Sequence, residues 1–415
     1  MRRTTHHAAR ALLGLACAAL SPLACAMPGD TLQPFVAYSI THDSNLFRLA
    51  SNPQADTYQI YTGGVLLDWK YSQQEVTGQL SANKVRYSRF TYLNTLGHNL
   101  QLQWNWKSGR RWSGEVTYGN QVSQVPFTNI NSQVTNTDVS NKNAGFKAHF
   151  LIAPYWRLNA GVSQSQVSYN AVQLQGSNQK LDKLEGGMDY LARDNSHIGL
   201  TYDYTRGTVP STTYYFYCVP SLPFLGVCSA LVNNDFRQQD LKVDIYWNFS
   251  PKTQLDGYIG ATRRSYGNAA GSATLTRSFT GLTGYLNATW KITGITALTG
   301  QLYRYPGPVQ GLSTYGTYVI YEGAKLGPTW QPTVRSSLAL QGYVEQQNYR
   351  GNAGATTPLT FQPRYTLNGW SLSYTWQPFI STTLGLVLQT GSRSSNLPYG
   401  SFHYNSINFN FQFVF

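Results

Sequence analysis

The chain closes with Ile407-Asn408-Phe409-Asn410-Phe411-Gln412-Phe413-Val414-Phe415. Ile407 and the four phenylalanines take the odd positions, and Asn408, Asn410, Gln412 and Val414 the even ones. Successive side chains of a strand point to opposite faces, so this stretch has one oily face and one largely polar face. A sheet that meets hydrocarbon on one side and water on the other is built from such strands. An aromatic last strand, with Phe411, Phe413 and Phe415 on one face, fits the closing strand of an outer-membrane barrel, where a terminal Phe acts as an assembly signal.

The same period of two recurs along the chain. Leu100, Leu102, Trp104 and Trp106 alternate with Gln101, Gln103, Asn105 and Lys107. Leu241, Val243, Ile245, Trp247 and Phe249 alternate with Asp240, Lys242, Asp244, Tyr246 and Asn248, and Leu384, Leu386 and Leu388 alternate with Thr383, Gly385, Val387 and Gln389. Alternation of this kind favours strand over helix. Eighteen segments qualify, those starting near Tyr58 and Thr317 being the least regular.

Their connections take turns: short ones such as Ser72-Gln73, Lys107–Arg110, Ser250–Lys252 and Gln377–Phe379, and long polar ones such as Thr41–Ala55, Ser123–Ser140 and Gly207–Asp235. Short turns on one rim and long loops on the other are the asymmetry of bacterial outer-membrane barrels. The expected fold is therefore all-β: one transmembrane, antiparallel up-and-down barrel of about 16–18 strands, with short periplasmic turns and long extracellular loops. Nine of the ten tryptophans lie within a few residues of a short turn, as an aromatic girdle at one membrane interface requires.

Residues 1–26 read as an export signal: Arg2, Arg3 and Arg10, an apolar run from Ala11 to Leu20, and Ala24-Cys25-Ala26 as a cleavage site. The barrel would then occupy residues 27–415 as a single domain, located in the bacterial outer membrane. Three of the 31 basic residues and none of the 18 acids lie in the signal, leaving a net charge of +10 on the remainder. The basic residues are dispersed, which argues for contact with outer-membrane lipid and lipopolysaccharide and against nucleic acid. The barrel-assembly machinery is a further expected partner.

With the apolar face outward, the polar face lines a lumen. It would receive Lys107, Glu115, Lys147, Arg157, Lys183, Glu185, Asp189, Asp203, Asp240, Lys242, Asp244, Asp256, Arg264, Lys291, Arg335 and Glu345, together with Tyr246, Tyr258, Tyr285, Tyr303 and Tyr343. A charge on the lipid face near mid-membrane costs about 2–4 kcal/mol, which is why such residues select the inner face. Cys218 and Cys228, in the longest loop of an exported chain, are a disulfide candidate. The histidines are scattered singly, with no metal-binding spacing and no nucleophile elbow, so no catalytic residue, metal or cofactor is expected.

The segment His42-Asp43-Ser44-Asn45-Leu46-Phe47-Arg48-Leu49 follows the first strand. It resembles the Asp-x-Asn-Leu-Phe-Arg stretch of EpsL-type proteins, outer-membrane barrels encoded with exopolysaccharide synthesis. That resemblance implies a channel exporting a secreted exopolysaccharide, working with periplasmic export components, and it marks Asp43, Asn45, Leu46, Phe47 and Arg48 as the family-motif loop. From the residues alone, Asp43-Ser44-Asn45 is a turn whose side chains bond nearby backbone. The alternatives are a general or substrate-specific diffusion porin for small solutes and, from another class, a barrel-anchored surface enzyme or adhesin.

Overall fold

A computed structural model describes residues 31–129, 136–192, 194, 196–217, 227–267, 278–308, 318–350, 363–398 and 400–415. The export signal and Cys218 lie outside these residues, so neither the leader nor the disulfide candidate is addressed by the structure.

The first nine strands are β1 (Leu32–Asp43), β2 (Asp56–Tyr71), β3 (Gln74–Tyr87), β4 (Thr95–Ser108), β5 (Trp112–Gln124), β6 (Asp138–Ala153), β7 (Trp156–Tyr169), β8 (Gln179–Leu191) and β9 (His197–Thr208). A separate hairpin, β10 (Thr212–Tyr217) and β11 (Val227–Val232), lies within the next connection. Then come β12 (Phe236–Ser250), β13 (Thr253–Tyr266), β14 (Phe279–Lys291), β15 (Thr296–Gly307) and β16 (Tyr318–Thr333). The last four are β17 (Ser336–Arg350), β18 (Arg364–Phe379), β19 (Thr382–Ser395) and β20 (Phe402–Val414).

Each of the eighteen sheet strands pairs antiparallel with its neighbours in chain order, β9 joining β12 across the hairpin. The aromatic closing strand then pairs back onto the first, from Phe35 opposite Val414 to Asp43 opposite Ser406. The sheet therefore has no free edge, the condition for strands to cross a bilayer with every backbone group paired. Strands of 12 to 16 residues exceed the 9–11 or so a tilted span needs, so their ends project past the membrane.

Register keeps the two faces distinct. Leu80, Leu102, Leu184, Leu241, Leu282 and Leu326 point outward and are 40–66 % exposed. Their sequence neighbours Gln79, Gln103, Lys183, Asp240, Thr283 and Lys325 point to the interior. Leaving that many leucines in water would forfeit the burial that normally stabilises a fold, roughly 25 cal/mol per Å²; against hydrocarbon nothing is forfeited. Trp69, Trp104, Trp112, Trp156, Trp290, Trp330 and Trp376 are outward and exposed at the rim of short turns, forming a girdle there. Register shifts next to four of these turns, at Leu151/Ala153, Asn248/Ser250, Trp330/Thr333 and Trp376/Phe379, let the strands bend at the rim.

This is a closed β-barrel of the bacterial outer membrane. Its buried apolar clusters do not form a central core; they gather at the end that carries the long loops.

Candidate functional site: the mouth and inner wall

The Asp43–Arg48 segment folds into the mouth as a self-bonded knot. The Asp43 carboxylate accepts the Asn45 amide at 2.9 Å, closing the turn that Asp favours. It also accepts both arms of the Arg48 guanidinium, each at 2.8 Å. Arg48 has a left-handed backbone (φ 56°), which brings its guanidinium back over the loop, where it also donates to the Asn45 carbonyl. The guanidinium carbon sits 3.6 Å from the centre of the Tyr404 ring on β20. Asn45 ties the knot down: its amide nitrogen donates to the carbonyls of Leu49 and His403, each at 2.9 Å, and its oxygen accepts the Leu49 amide at 3.0 Å.

The knot sets Leu46 and Phe47 against the inner face of β3, where both are buried with Val85, Tyr87 and Leu93. Phe47 meets Phe90 of the next loop edge-on at 4.7 Å and Phe127 of the loop after β5 at 5.1 Å. Three loops thus share one apolar cluster inside the rim. The third loop reaches further still: the Thr128 carbonyl accepts from Arg393 of β19 at 3.0 Å, although β5 and β19 stand six pairings apart around the ring.

A second piece leans in from the opposite side. Pairing between β14 and β15 stops at Gly284–Arg304, though both strands continue. The free ends of β15 and β16 then fold over the interior. Tyr318 and Ile320 pack on Phe279, which shares the polar inner face of β14 with Thr283, and Arg264 of β13 donates to the Pro306 carbonyl at 3.1 Å.

Below the mouth, one wall carries a chain of ion pairs spanning β5 to β12. Lys147 bridges Glu115 (4.0 Å) and Glu185 (3.4 Å); Lys183 bridges Glu185 (2.7 Å) and Asp203 (3.0 Å); Lys242 completes the series on Asp203. Beside it, Arg157 pairs with Asp189 at 2.5 Å. Asp240 accepts from Gln238 and Thr262, and Thr262 in turn meets Thr283 at 2.8 Å. The other wall is phenolic: Tyr303 donates to Glu345 at 2.6 Å, Tyr305 stacks on Tyr321, and Tyr343 faces the same side by register.

The expected lumen residues are therefore of three kinds. Glu115, Lys183, Glu185, Asp189, Asp240 and Lys242 belong to the bonded wall. Asp256 accepts from Asn287 at 2.9 Å, Tyr285 accepts from Gln301 at 2.9 Å, and Tyr246 stacks on His197. Lys107, Asp244 and Lys291 face the same side by register without an ion pair among the described residues. Arg335 departs from the expectation: it lies in the turn between β16 and β17 and donates to the Pro378 carbonyl at 3.1 Å. Sequence reasoning put Arg264 on the inner face without its anchoring role and did not single out Arg393, because an arginine that anchors a distant loop has the same spacing as one that is merely solvated. Among the described residues no cluster of metal-ligating side chains occurs.

No protein-family model and no curated protein matches the chain. Solved structures do. OccK2 (OpdF) of Pseudomonas aeruginosa superposes with a TM-score of 0.50 at 10% identity, over 92% of this chain and 98% of that one. OpdK of the same organism, solved with vanillate, gives 0.49 at 10% over 92% and 99%, and a BenF-like porin from Pseudomonas fluorescens Pf-5 gives 0.49 at 10% over 93% and 99%. The last of these is a porin by name, and the fold likeness, OccK2's among them, lies with these barrels and not with EpsL-type proteins; this corrects the expectation of EpsL-type kinship and with it that of polysaccharide export. The eight-residue likeness that suggested it is accounted for by local chemistry: Asp, Asn and Arg tie a loop whose Leu and Phe plug a cluster.

Proposed function

We propose that this protein is a diffusion porin for small solutes, acting by passage and not by catalysis. The observation that carries the reading is the hydration of a fully enclosed wall. The Lys147 and Glu115 side chains keep 43% and 34% exposure and Arg157 keeps 28%, although all three point into the closed ring. Water therefore reaches the charges of the lumen, and a water-filled barrel of this strand number is a conduit. The fold shared with OccK2 agrees with this. The inward loops and the leaning β15–β16 end narrow the conduit at the mouth, which suits solutes of limited size. Lipopolysaccharide around the barrel and the assembly machinery that inserts it complete the proposed setting.

The test is planar-bilayer recording of the refolded chain, with liposome swelling in small sugars and organic ions. Stepwise conductance with a size cut-off is expected. A well-folded barrel that never conducts overturns the proposal.

A further inference from the structure

The outer wall holds a feature that passage through the lumen does not use. Lys142, Lys180, Arg206, Arg237 and Arg263 all lie on the lipid-facing side, near the long-loop ends of β6, β8, β9, β12 and β13. Each is exposed. Arg206 and Arg237 are direct cross-strand partners. Like charges placed opposite one another destabilise a strand pair. Asp182, opposite Arg206 in register, is engaged elsewhere, accepting from Gln164 at 2.7 Å and lying 3.8 Å from Lys180. Arg206, Arg237 and Arg263 form no ion pair among the described residues.

Directly beneath runs a groove of about 840 Å³ in the same outer wall. Tyr118, Phe146, Val162, Leu184 and Tyr204 line it and Ala144 leaves it room, while Gln164, Asp182 and Arg206, which are partners in register, form its polar loop-side edge. A mostly apolar groove that crosses β5 to β9 on the lipid-facing wall, with the Arg206 guanidinium at its loop-side edge, offers one acyl chain a seat beside an anionic headgroup.

We propose that this face binds the phosphorylated glycolipid of the outer leaflet, lipid A of lipopolysaccharide. Its phosphates rest on the Arg206/Arg237/Arg263 row and one acyl chain lies in the groove. Charge complementarity selects this occupant: several basic residues spread over five strands fit a wide headgroup with two phosphates better than the single phosphate of an ordinary phospholipid. Juxtamembrane basic residues gain about 1 kcal/mol each from anionic lipid. Removing two of them would weaken binding about thirtyfold, which is about 2 kcal/mol at 1.4 kcal/mol per decade.

The experiment is native mass spectrometry of the refolded full chain in detergent, titrated with bisphosphorylated lipid A, dephosphorylated lipid A or phosphatidylglycerol. Saturable retention of bisphosphorylated lipid A is expected. It should fall about thirtyfold in R206Q/R237Q and at least tenfold when Ala144→Trp fills the groove or when the phosphates are removed. Because these side chains face away from the lumen, conductance of R206Q/R237Q should match the parent, which also reports its folding. Equal retention by R206Q/R237Q overturns the proposal, and so does phosphatidylglycerol binding as tightly as lipid A. If that double variant fails to fold, the dephosphorylated-lipid comparison on the parent chain decides alone, equal retention of the two glycolipids overturning the proposal.

Discussion

Replacing Arg48 by alanine should open the mouth without unfolding the barrel. The Asp43–Arg48 pair is well shielded, with side-chain exposures of 6% and 14%. Removing one member of a buried pair costs about 3–5 kcal/mol, chiefly because the partner charge is stranded. Here the Asn45 amide still serves Asp43, which puts the cost near the lower end, at about 3 kcal/mol. Loss of the Tyr404 stack adds about 1 kcal/mol. None of this falls on the eighteen-strand ladder, so it falls on the loop. A bias of about 3–4 kcal/mol changes the ratio of released to folded loop by two to three powers of ten. With the knot loosened, Leu46 and Phe47 lose their seat between β3 and the neighbouring loops.

Single-channel recording of R48A should therefore show larger and noisier conductance, while its heat-modifiable gel mobility stays that of the parent. Asp43→Asn in the R48A background removes the stranded carboxylate and should bring the channel partway back. The double variant would then be less perturbed than the two single effects predict when summed. If R48A records like the parent, or if the two substitutions simply add, the loop is held by something else and the argument fails.

Four further outcomes can be checked. Asp203→Asn removes the shared anion of Lys183 and Lys242, so the zero-current potential in a salt gradient should move toward anion selectivity. Gly257 has φ +145°, and a Cβ there would press on the Tyr285 carbonyl of β14; Gly257→Ala should sharply lower the yield of folded barrel, and normal yield would contradict the strain. The Ser196 hydroxyl and then its amide hold the Asp194 carboxyl below its ordinary value. That contribution is complete above the usual aspartate range and fades as pH falls through the lowered value, so Asp194→Asn should destabilise at neutral pH and be nearly silent in acid urea titrations. Arg393→Lys keeps the charge but cannot stack on Tyr365 while reaching both Gly400 and Thr128; conductance should rise with selectivity unchanged.

Much of the wall was legible in the sequence because a barrel strand obeys one simple rule. The alternation at Leu241–Phe249 fixes which side each residue faces, and the alternation of short and long connections fixes which rim it approaches. Even the strand that ends the chain pairs where its pattern requires, with β1. Partners were not legible. That Lys147 reaches both Glu115 and Glu185 depends on the stagger of β5, β6 and β8, and no residue of any one strand encodes that stagger. The mouth was least legible of all. The parting of β14 from β15 leaves no mark in either strand's alternation, and the β10–β11 hairpin lies in what reads as one long loop. The Asp-x-Asn-Leu-Phe-Arg stretch misled in an instructive way, since its residues serve to tie a loop, a task any barrel can set.

Among the described residues of the mouth, three well-shielded arginines share one device, which the exposed Arg89 repeats on Phe90 and the Ala55 carbonyl. Arg48 stacks on Tyr404 and donates to the Asn45 carbonyl; Arg264 lies 4.3 Å from the Phe236 ring and donates to Pro306; Arg393 lies 4.6 Å from Tyr365 and donates to Gly400 and Thr128. In each case a guanidinium holds the main chain of a segment at or inside the rim and rests on an aromatic ring. Lysine could not substitute, because an ammonium is more strongly hydrated and lacks both the flat face for the ring and the fork of donors. Apolar packing alone would hold these segments only loosely, since each rests on a small cluster beside water. Main-chain carbonyls turned inward need donors in any case, and arginine supplies them together with a surface that sheds water. The same choice explains why the lumen's paired lysines sit lower, where the wall is straight and a point charge between two carboxylates suffices. The barrel sets the bore, and arginines such as these set how far the described loops fill its mouth.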